Sequence, residues 1–177
     1  MGNGRRAQVV DSNVAIVANQ KHGESSAKAY KCARVLLDIK HFGVIVLDDQ
    51  DHILSEYRGY CSLSGQPGIG DSFIKWIHDN IGRVDLVQRV AITTNVDPPP
   101  YFHEFPNHPD LEDFDPSDQK FVAVANAHRA RPVILQATDS KWWGWKDSLA
   151  ECGIKVEFLF PEEIEETYRR KMERGME

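Results

Sequence analysis

Four carboxylic acids are placed along this chain where folding could bring them together. Asp11 and Asp139 each follow an apolar run that is typical of a buried strand. Glu56 lies in a segment of helical periodicity, and Asp118 begins another such segment. In an open α/β sheet the carboxyl ends of the strands line one crevice, so acids at these places converge. Converging carboxylates repel one another unless a cation lies between them, and oxygen-only ligands favour Mg²⁺ or Mn²⁺.

The elements that would position these acids alternate between strand and helix. The predicted strands are Val9–Asp11, Val44–Leu47, Val87–Thr93, Val133–Ala137 and Val156–Phe160. The predicted helices are Glu24–Phe42, Ile53–Leu63, Asp71–Ile81, Pro116–Ala130, Lys146–Cys152 and Glu162–Met172. This alternation predicts an α/β fold: a single doubly wound, mostly parallel sheet of about five strands flanked by helices. We expect one domain over residues 1–177, with a frayed start at Met1–Arg6.

Composition narrows the class of protein. The chain has 177 residues, 41% of them apolar and 27% charged, which suffices for one hydrophobic core. It shows no apolar run of bilayer length and no signal-peptide pattern, so we expect no membrane partner. Its three cysteines are too far apart for a zinc site or a disulfide framework, which favours reduced, buried thiols and a cytoplasmic location.

Charge is unevenly distributed along the chain. The net charge of −6 argues mildly against nucleic acid as a partner. The segment Lys21–Lys40 is nevertheless basic, and such a face can bind phosphates in an acidic protein. The segment Asp97–Pro116 is a long loop rich in Pro, His and acids, and loops of this length are usually functional or mobile.

The surroundings of the four acids resemble the motifs of the PIN-domain nucleases. The matching segments are Asp11-Ser12-Asn13, Ile53-Leu54-Ser55-Glu56-Tyr57, Asp115-Pro116-Ser117-Asp118-Gln119-Lys120-Phe121 and Thr138-Asp139-Ser140-Lys141-Trp142-Trp143. Each motif alone is weak, but they occur in the order of the family and on the expected elements. The resemblance extends over about Val9 to Phe160, which is nearly the whole chain.

This resemblance implies a metal-dependent nuclease that hydrolyses phosphodiester bonds, usually of RNA. It implies Mg²⁺ or Mn²⁺ as cofactor and an endoribonuclease of toxin or defence type, with an antitoxin or another regulatory protein as a partner. Asp11, Glu56, Asp118 and Asp139 would be both the catalytic and the metal-binding residues. Many relatives carry another Asp or Asn two residues after the last acid, where this chain has Lys141. Lys141 therefore either holds the scissile phosphate or marks an enzyme with one metal ion.

Residues beside the acids are candidate substrate contacts. Asn13 would orient Asp11 or a bound water. Lys141, Trp142 and Trp143 combine a cation with aromatic rings, on which the bases of RNA or single-stranded DNA can stack. The alternative for the tryptophans is that they simply cover the edge of the sheet.

Two other functions remain open at this point. One is a structure-specific or DNA-directed nuclease with the same site, and the other is a PIN-like module that binds nucleic acid or protein without cleaving.

Two further segments do not match the motifs that they partly resemble. His103–His108 lacks the spacing of the helical zinc motif, and Gly65–Gly70 lacks the Gly-Lys-Ser/Thr of a phosphate-binding P-loop. The sequence leaves the oligomeric state open.

Overall fold

One parallel sheet organises the chain, confirming the predicted α/β class. The structure is a computed structural model and describes residues 5–175, without the side chain of His22. The strands are β1 (Arg6–Val10), β2 (Gly43–Asp48), β3 (Val87–Val90), β4 (Val133–Gln136) and β5 (Val156–Phe158). They lie in the order β3-β2-β1-β4-β5, and every neighbouring pair is parallel.

Seven α-helices accompany these strands within the described residues. They are α1 (Ser12–Ala18), α2 (Ser26–Phe42), α3 (His52–Tyr60), α4 (Ile69–Asp79), α5 (Gln119–Ala127), α6 (Lys141–Glu151) and α7 (Pro161–Arg174). Two short 3₁₀ turns lie at Lys21–Gly23 and Pro109–Leu111. The central strands are apolar because both of their faces are covered, and every residue of β2 is buried.

The winding of the chain places a switch point between β1 and β4. From β1 the chain passes to β2 and β3 on one side, and it then returns to β4 and β5 on the other side. Right-handed crossovers in these opposite directions put their helices on opposite faces of the sheet. The backbone of Asp11 continues the pairing, since its N–H donates to Leu135 O at 3.0 Å. Ligands of doubly wound sheets bind at the carboxyl ends of such diverging strands.

The long segment before α5 is packed into the hydrophobic core, partly against α6. It carries the buried side chains of Phe102, Phe105, Leu111 and Phe114. An antiparallel bridge between Thr94 and Phe102 ties its first part together. The four apolar anchors make it part of the core, so the alternative of a mobile loop does not fit this segment.

Several predicted boundaries were wrong. Residues 1–4 lie outside the described part, but Arg6, expected to be frayed, begins β1 and pairs with Gly43. The helix expected from Pro116 begins at Gln119, because Asp115 accepts the Ser117 N–H at 3.0 Å and closes a turn. The helix expected from Lys146 begins five residues earlier, at Lys141.

The cysteines form no disulfide among the described residues. All three cysteines are free; Cys32 and Cys61 are buried and Cys152 is half-buried. Burial raises the pKa of the Cys32 thiol to about 12 and that of Cys61 to about 11. Within residues 5–175, no helix combines the length and the apolar character that a bilayer crossing requires.

Candidate functional site

Asp11 lies at the switch point and is the N-cap residue of α1. Its carboxylate accepts the Asn13 N–H at 2.9 Å, which caps the helix that the sequence pattern did not predict. The other carboxylate oxygen accepts the Gln136 Nε2–H at 3.1 Å. With only 4% of its surface exposed, Asp11 is a charge-bearing group placed in the interior at the edge of the sheet.

An amide network joins the ends of β1 and β4. Asn13 Oδ1 accepts the Ala137 N–H at 2.9 Å, and Asn13 Nδ2 donates to Gln136 Oε1. The same Gln136 oxygen accepts the Asp139 N–H at 3.3 Å. The Asn13 side chain therefore links the end of β1 to the end of β4, and its effect on Asp11 passes through Gln136, so its predicted direct contact with Asp11 or a water stays a prediction. Gln136 was missed, although an amide inside an otherwise apolar strand was a usable signal.

Asp118 precedes α5 and is held by Trp142. The indole Nε1–H of Trp142 donates to Asp118 Oδ2 at 3.0 Å. Trp142 is 0% exposed, and its ring meets Phe114 edge-on with centroids 5.1 Å apart. A ring with no exposed face cannot stack on a base, so the predicted substrate contact of Trp142 is replaced by a role in positioning Asp118.

Glu56 projects from α3 and is engaged by two partners. It accepts the hydroxyl of Ser12, and it forms an ion pair with Lys120 Nζ. Lys120 is only 8% exposed and also donates to Ser117 O. The sequence analysis did not identify Lys120 as a functional candidate. No local pattern distinguishes a buried lysine in the first turn of a helix from a solvated one.

Lys141 stands at the rim of the site. Its backbone N–H donates to Asp139 Oδ1 at 2.9 Å, and its ammonium pairs with Asp115 Oδ2 at 2.8 Å. Asp115 raises the pKa of Lys141, and Lys141 in turn lowers the pKa of Asp115. The side chain is half exposed, so its charge is accessible to a substrate.

Trp143 lies on another face of α6. Its ring packs on Phe158 at 5.1 Å between centroids, and Lys146 Nζ lies 5.1 Å from its centroid. The ring is half-buried and borders a surface depression next to β5. Contact between Trp143 and a substrate stays a prediction.

The four predicted acids share one electrostatic environment. Burial raises the pKa of Asp11 well above its usual value, and the charges of Asp118, Glu56 and Asp139 raise it further, against the Asn13 hydrogen bond. The pKa of Asp118 is raised to about 6, chiefly by burial and then by Asp115 and Asp139, although the Trp142 hydrogen bond opposes this. The structure thus places Asp118, Glu56 and Asp139 near enough to Asp11 to repel its charge at one edge of the sheet.

The four carboxylates lie near one another, but they are not placed as ligands of a single ion. Among residues 5–175, no three His, Cys, Asp or Glu side chains are arranged as a set of metal ligands. The contacts explain this spacing, because Lys120 engages Glu56, Trp142 engages Asp118 and Gln136 engages Asp11. The oxygen-only chemistry of the group suits a hard divalent cation, and the negative charge that remains beyond the Lys120–Glu56 ion pair favours one.

The basic segment predicted around α2 is largely engaged within the molecule. Lys28 pairs with Glu24 at 3.1 Å and with Glu163, and Lys31 donates to Leu159 O. Both ammonium groups also lie near the ring of Phe160. These lysines attach the start of α7 to α2, which explains their presence without a bound phosphate.

Comparison of the chain with protein-family models, with curated proteins and with solved structures gives no match. The resemblance to PIN-domain nucleases therefore rests on the four sequence motifs.

Proposed function

We propose that this chain is a Mg²⁺- or Mn²⁺-dependent nuclease that hydrolyses phosphodiester bonds, with RNA as its substrate. The observation that carries the proposal is a placement: Asp11 is buried directly after β1, and Asp118, Glu56 and Asp139 lie close enough for their charges to raise its pKa. Folding retains this repulsion at the carboxyl ends of β1 and β4, where doubly wound sheets bind ligands. Clustered charges that destabilise a fold are typical of a functional site.

Asp11 and Asp139 would bind the metal ion directly, and Asp118 would bind it directly or through a water, since the three side chains do not converge on one point as they stand. Glu56 joins them once it is released from Lys120. When bound, a divalent cation supplies an activated water and neutralises the charge that develops on the phosphate oxygens. The chain contributes the fixed orientation of the acids, through Gln136 on Asp11 and Trp142 on Asp118.

Two lysines, Lys141 and Lys120, would contact the substrate phosphate. Lys141 lies at the rim, half exposed, and can exchange Asp115 for a phosphate oxygen. Lys120 is buried among the acids, and its release from Glu56 would leave an ammonium group beside the reacting phosphate. An ammonium group there would offset the negative charge of the substrate, which otherwise repels the carboxylates.

The Lys120–Glu56 ion pair also favours a second candidate function. A lysine that neutralises one of the four acids allows the fold to exist without metal, as expected of a PIN-like module that binds nucleic acid and does not cleave it. The two candidates differ in one respect that can be measured: whether a bound strand is cut when metal is added.

Cleavage of end-labelled strands with and without Mn²⁺ separates these functions. We would incubate the protein with a single-stranded RNA and with a DNA of the same sequence. The nuclease proposal predicts cleavage of the RNA only when Mn²⁺ is present. Binding of RNA without cleavage would identify the binding module, and equal cleavage of both strands would identify a nuclease that does not discriminate RNA from DNA.

The Asp139→Asn variant tests whether cleavage depends on the proposed site. The asparagine keeps an oxygen for the Lys141 N–H, so the fold should persist. We expect the rate to fall by about 100-fold, since even supporting groups at metal sites change activity by about 10- to 100-fold. Asp147→Asn is the matched control, because Asp147 lies on α6 but pairs only with Lys146 at the surface. Equal rates in both variants would show that Asp139 does not belong to the site.

A further inference from the structure

A groove opens beside the acids, between the start of α6 and the second half of α7. Its volume is about 410 Å³. The residues that define its walls are Ser140, Lys141, Gly144, Trp145, Tyr168 and Lys171. Ser140 directly follows Asp139, and Lys141 is hydrogen-bonded to Asp139, so the groove begins at the edge of the proposed catalytic site.

The glycine at position 144 allows Tyr168 to approach α6 closely at one wall of the groove. A Cβ atom at Gly144 would lie 2.6 Å from Tyr168 Oη and 2.9 Å from the carbons of its ring. Glycine inside a helix costs about 1 kcal/mol relative to alanine, so a glycine in α6 needs a compensating contact. The close approach of Tyr168 supplies that contact, and its half-buried ring lines the groove.

The charges at the groove suit a polyanion. Lys171 Nζ donates to Ser140 Oγ at 2.9 Å and takes part in none of the ion pairs formed within residues 5–175. Arg169 and Arg170, on the same helical turn, pair with Glu165 and Glu166 instead. Lys171 and Lys141 thus place two ammonium groups along the groove, although that of Lys141 also pairs with Asp115 at 2.8 Å. One acid, Asp110, also borders the groove and accepts the Ser148 hydroxyl at 3.4 Å.

We propose that this groove binds the stretch of single-stranded RNA adjacent to the scissile phosphate. Lys141 and Lys171 contact backbone phosphates, and the ring of Tyr168 stacks on a base. A cationic channel with aromatic side chains is the common way in which proteins hold single strands. This inference rests on the proposed nuclease function, because it names the segment of substrate that leads into the acidic site.

Binding of a short fluorescent single-stranded RNA, measured by anisotropy in EDTA, tests the groove without cleavage. Lys171→Gln should weaken binding and reduce the salt dependence by a slope of about 0.7, the value expected for one phosphate contact on a single strand. Tyr168→Ala should weaken binding by about fivefold or more, because stacking on one base contributes about 1–3 kcal/mol. Tyr168→Phe keeps the ring and should bind like the wild type.

Two control variants make the result specific. Arg169→Gln removes a charge from the same turn of α7 but outside the groove, so it should change binding less than Lys171→Gln does. Trp143→Ala removes the ring on the other face of α6. If Trp143→Ala weakens binding while the changes at Tyr168 and Lys171 do not, the RNA crosses that other face and the groove proposal is wrong.

The outcomes separate this inference from the nuclease function. RNA binding that depends on Lys171 and Tyr168, without any cleavage in Mn²⁺, would support the groove and refute the nuclease. Cleavage in Mn²⁺ that is unaffected by both changes would refute the groove alone. A wild-type protein that binds no RNA in EDTA and cleaves none in Mn²⁺ would refute both.

Discussion

Two buried aspartates at the ends of neighbouring strands differ in their surroundings: Asp48 is a structural acid, and Asp11 is the acid that we propose as functional. Asp48 ends β2, and Asp11 directly follows β1. They are 0% and 4% exposed, so burial does not separate them. What separates them is how their negative charge is compensated.

Asp48 is satisfied by the backbone that follows it. Its two oxygens accept the N–H groups of Gln50 at 3.1 Å, His52 at 2.7 Å and Ile53 at 2.9 Å. These donors lie at the start of α3, where the helix dipole also favours a negative charge. Asp48 therefore closes the turn into α3, and its two oxygens are already occupied by N–H donors.

Asp11 receives one backbone donor and one amide, and it faces three other carboxylates. Its charge is therefore only partly compensated within the fold. The difference between the two acids is thus that N–H donors surround Asp48, whereas other acids lie near Asp11.

The largest effect is expected at the structural acid. Asp48→Ala leaves three N–H groups at the start of α3 without their partner and should lower the free energy of unfolding by about 3 kcal/mol. Asp11→Ala removes two hydrogen bonds but also relieves repulsion, so it should cost about 1 kcal/mol or less. Urea unfolding of both variants without metal measures the difference. Equal losses of stability would mean that the two acids play the same role.

The next effect concerns the cation among the acids. Lys120→Met leaves Glu56 beside three other carboxylates and should cost about 2 kcal/mol without metal, below the 3–5 kcal/mol of a fully buried pair. Mn²⁺ should then raise the melting temperature of the variant more than that of the wild type, because Glu56 is free to bind.

Lys75→Met is the matched control for that variant. Lys75 and Asp79 form an exposed pair on α4, with side chains 44% and 49% exposed against 11% and 21% for Lys120 and Glu56. Exposed pairs contribute about 0–1 kcal/mol, so this change should be nearly neutral. If both variants melt alike with and without Mn²⁺, Lys120 is not a counter-ion of the site.

The smallest effect has the opposite sign. Asp118→Asn should stabilise the metal-free protein at neutral pH by about 1 kcal/mol, because it removes a repelled carboxylate while Asn Oδ1 can still accept the Trp142 N–H. The pKa of Asp118 is raised from 3.8 to about 6, so the folded state binds more protons than the unfolded state between these values. Wild-type stability contributed by this group should fall as pH rises through that interval.

Melting curves between pH 4 and pH 7 without metal check this sign. The fall should be shallower in Asp118→Asn, with a remainder due to Asp11, whose pKa is also raised. A variant that is less stable than the wild type at neutral pH, with an unchanged pH profile, would show that Asp118 is not repelled by its neighbours.

The sequence predicted the sheet well because the signal there is local. Short apolar runs such as Val44–Leu47 are readable as buried strands, and the observed β2 spans Gly43–Asp48. The placement of the four acids at one edge followed from the rule that parallel strands share their carboxyl ends. Strand order and the β1–β4 switch point come from long-range pairing, which no local pattern encodes.

The parts that sequence reasoning missed depend on tertiary contacts. The cap signature at Asp115-Pro116 was real but closes a turn, and the helix begins only after Asp118, which Trp142 holds. The start of α6 at Lys141 was missed; Gly144 disfavours a helix locally, and the close packing of Tyr168 on it is a contact with another helix that no local pattern encodes. Lys120 gives no signal at all, because its role depends on Glu56, which lies on a different helix.

Calorimetric titration of the protein with Mn²⁺ tests the central claim most directly, because it measures metal binding without requiring a substrate. The four-carboxylate account predicts that the wild type binds Mn²⁺ and that Asp118→Asn and Asp139→Asn each weaken binding by at least about tenfold. Asp147→Asn, on the surface of α6, should bind like the wild type. A wild type that binds no Mn²⁺, or acid variants that bind it as tightly as the wild type, would contradict the account.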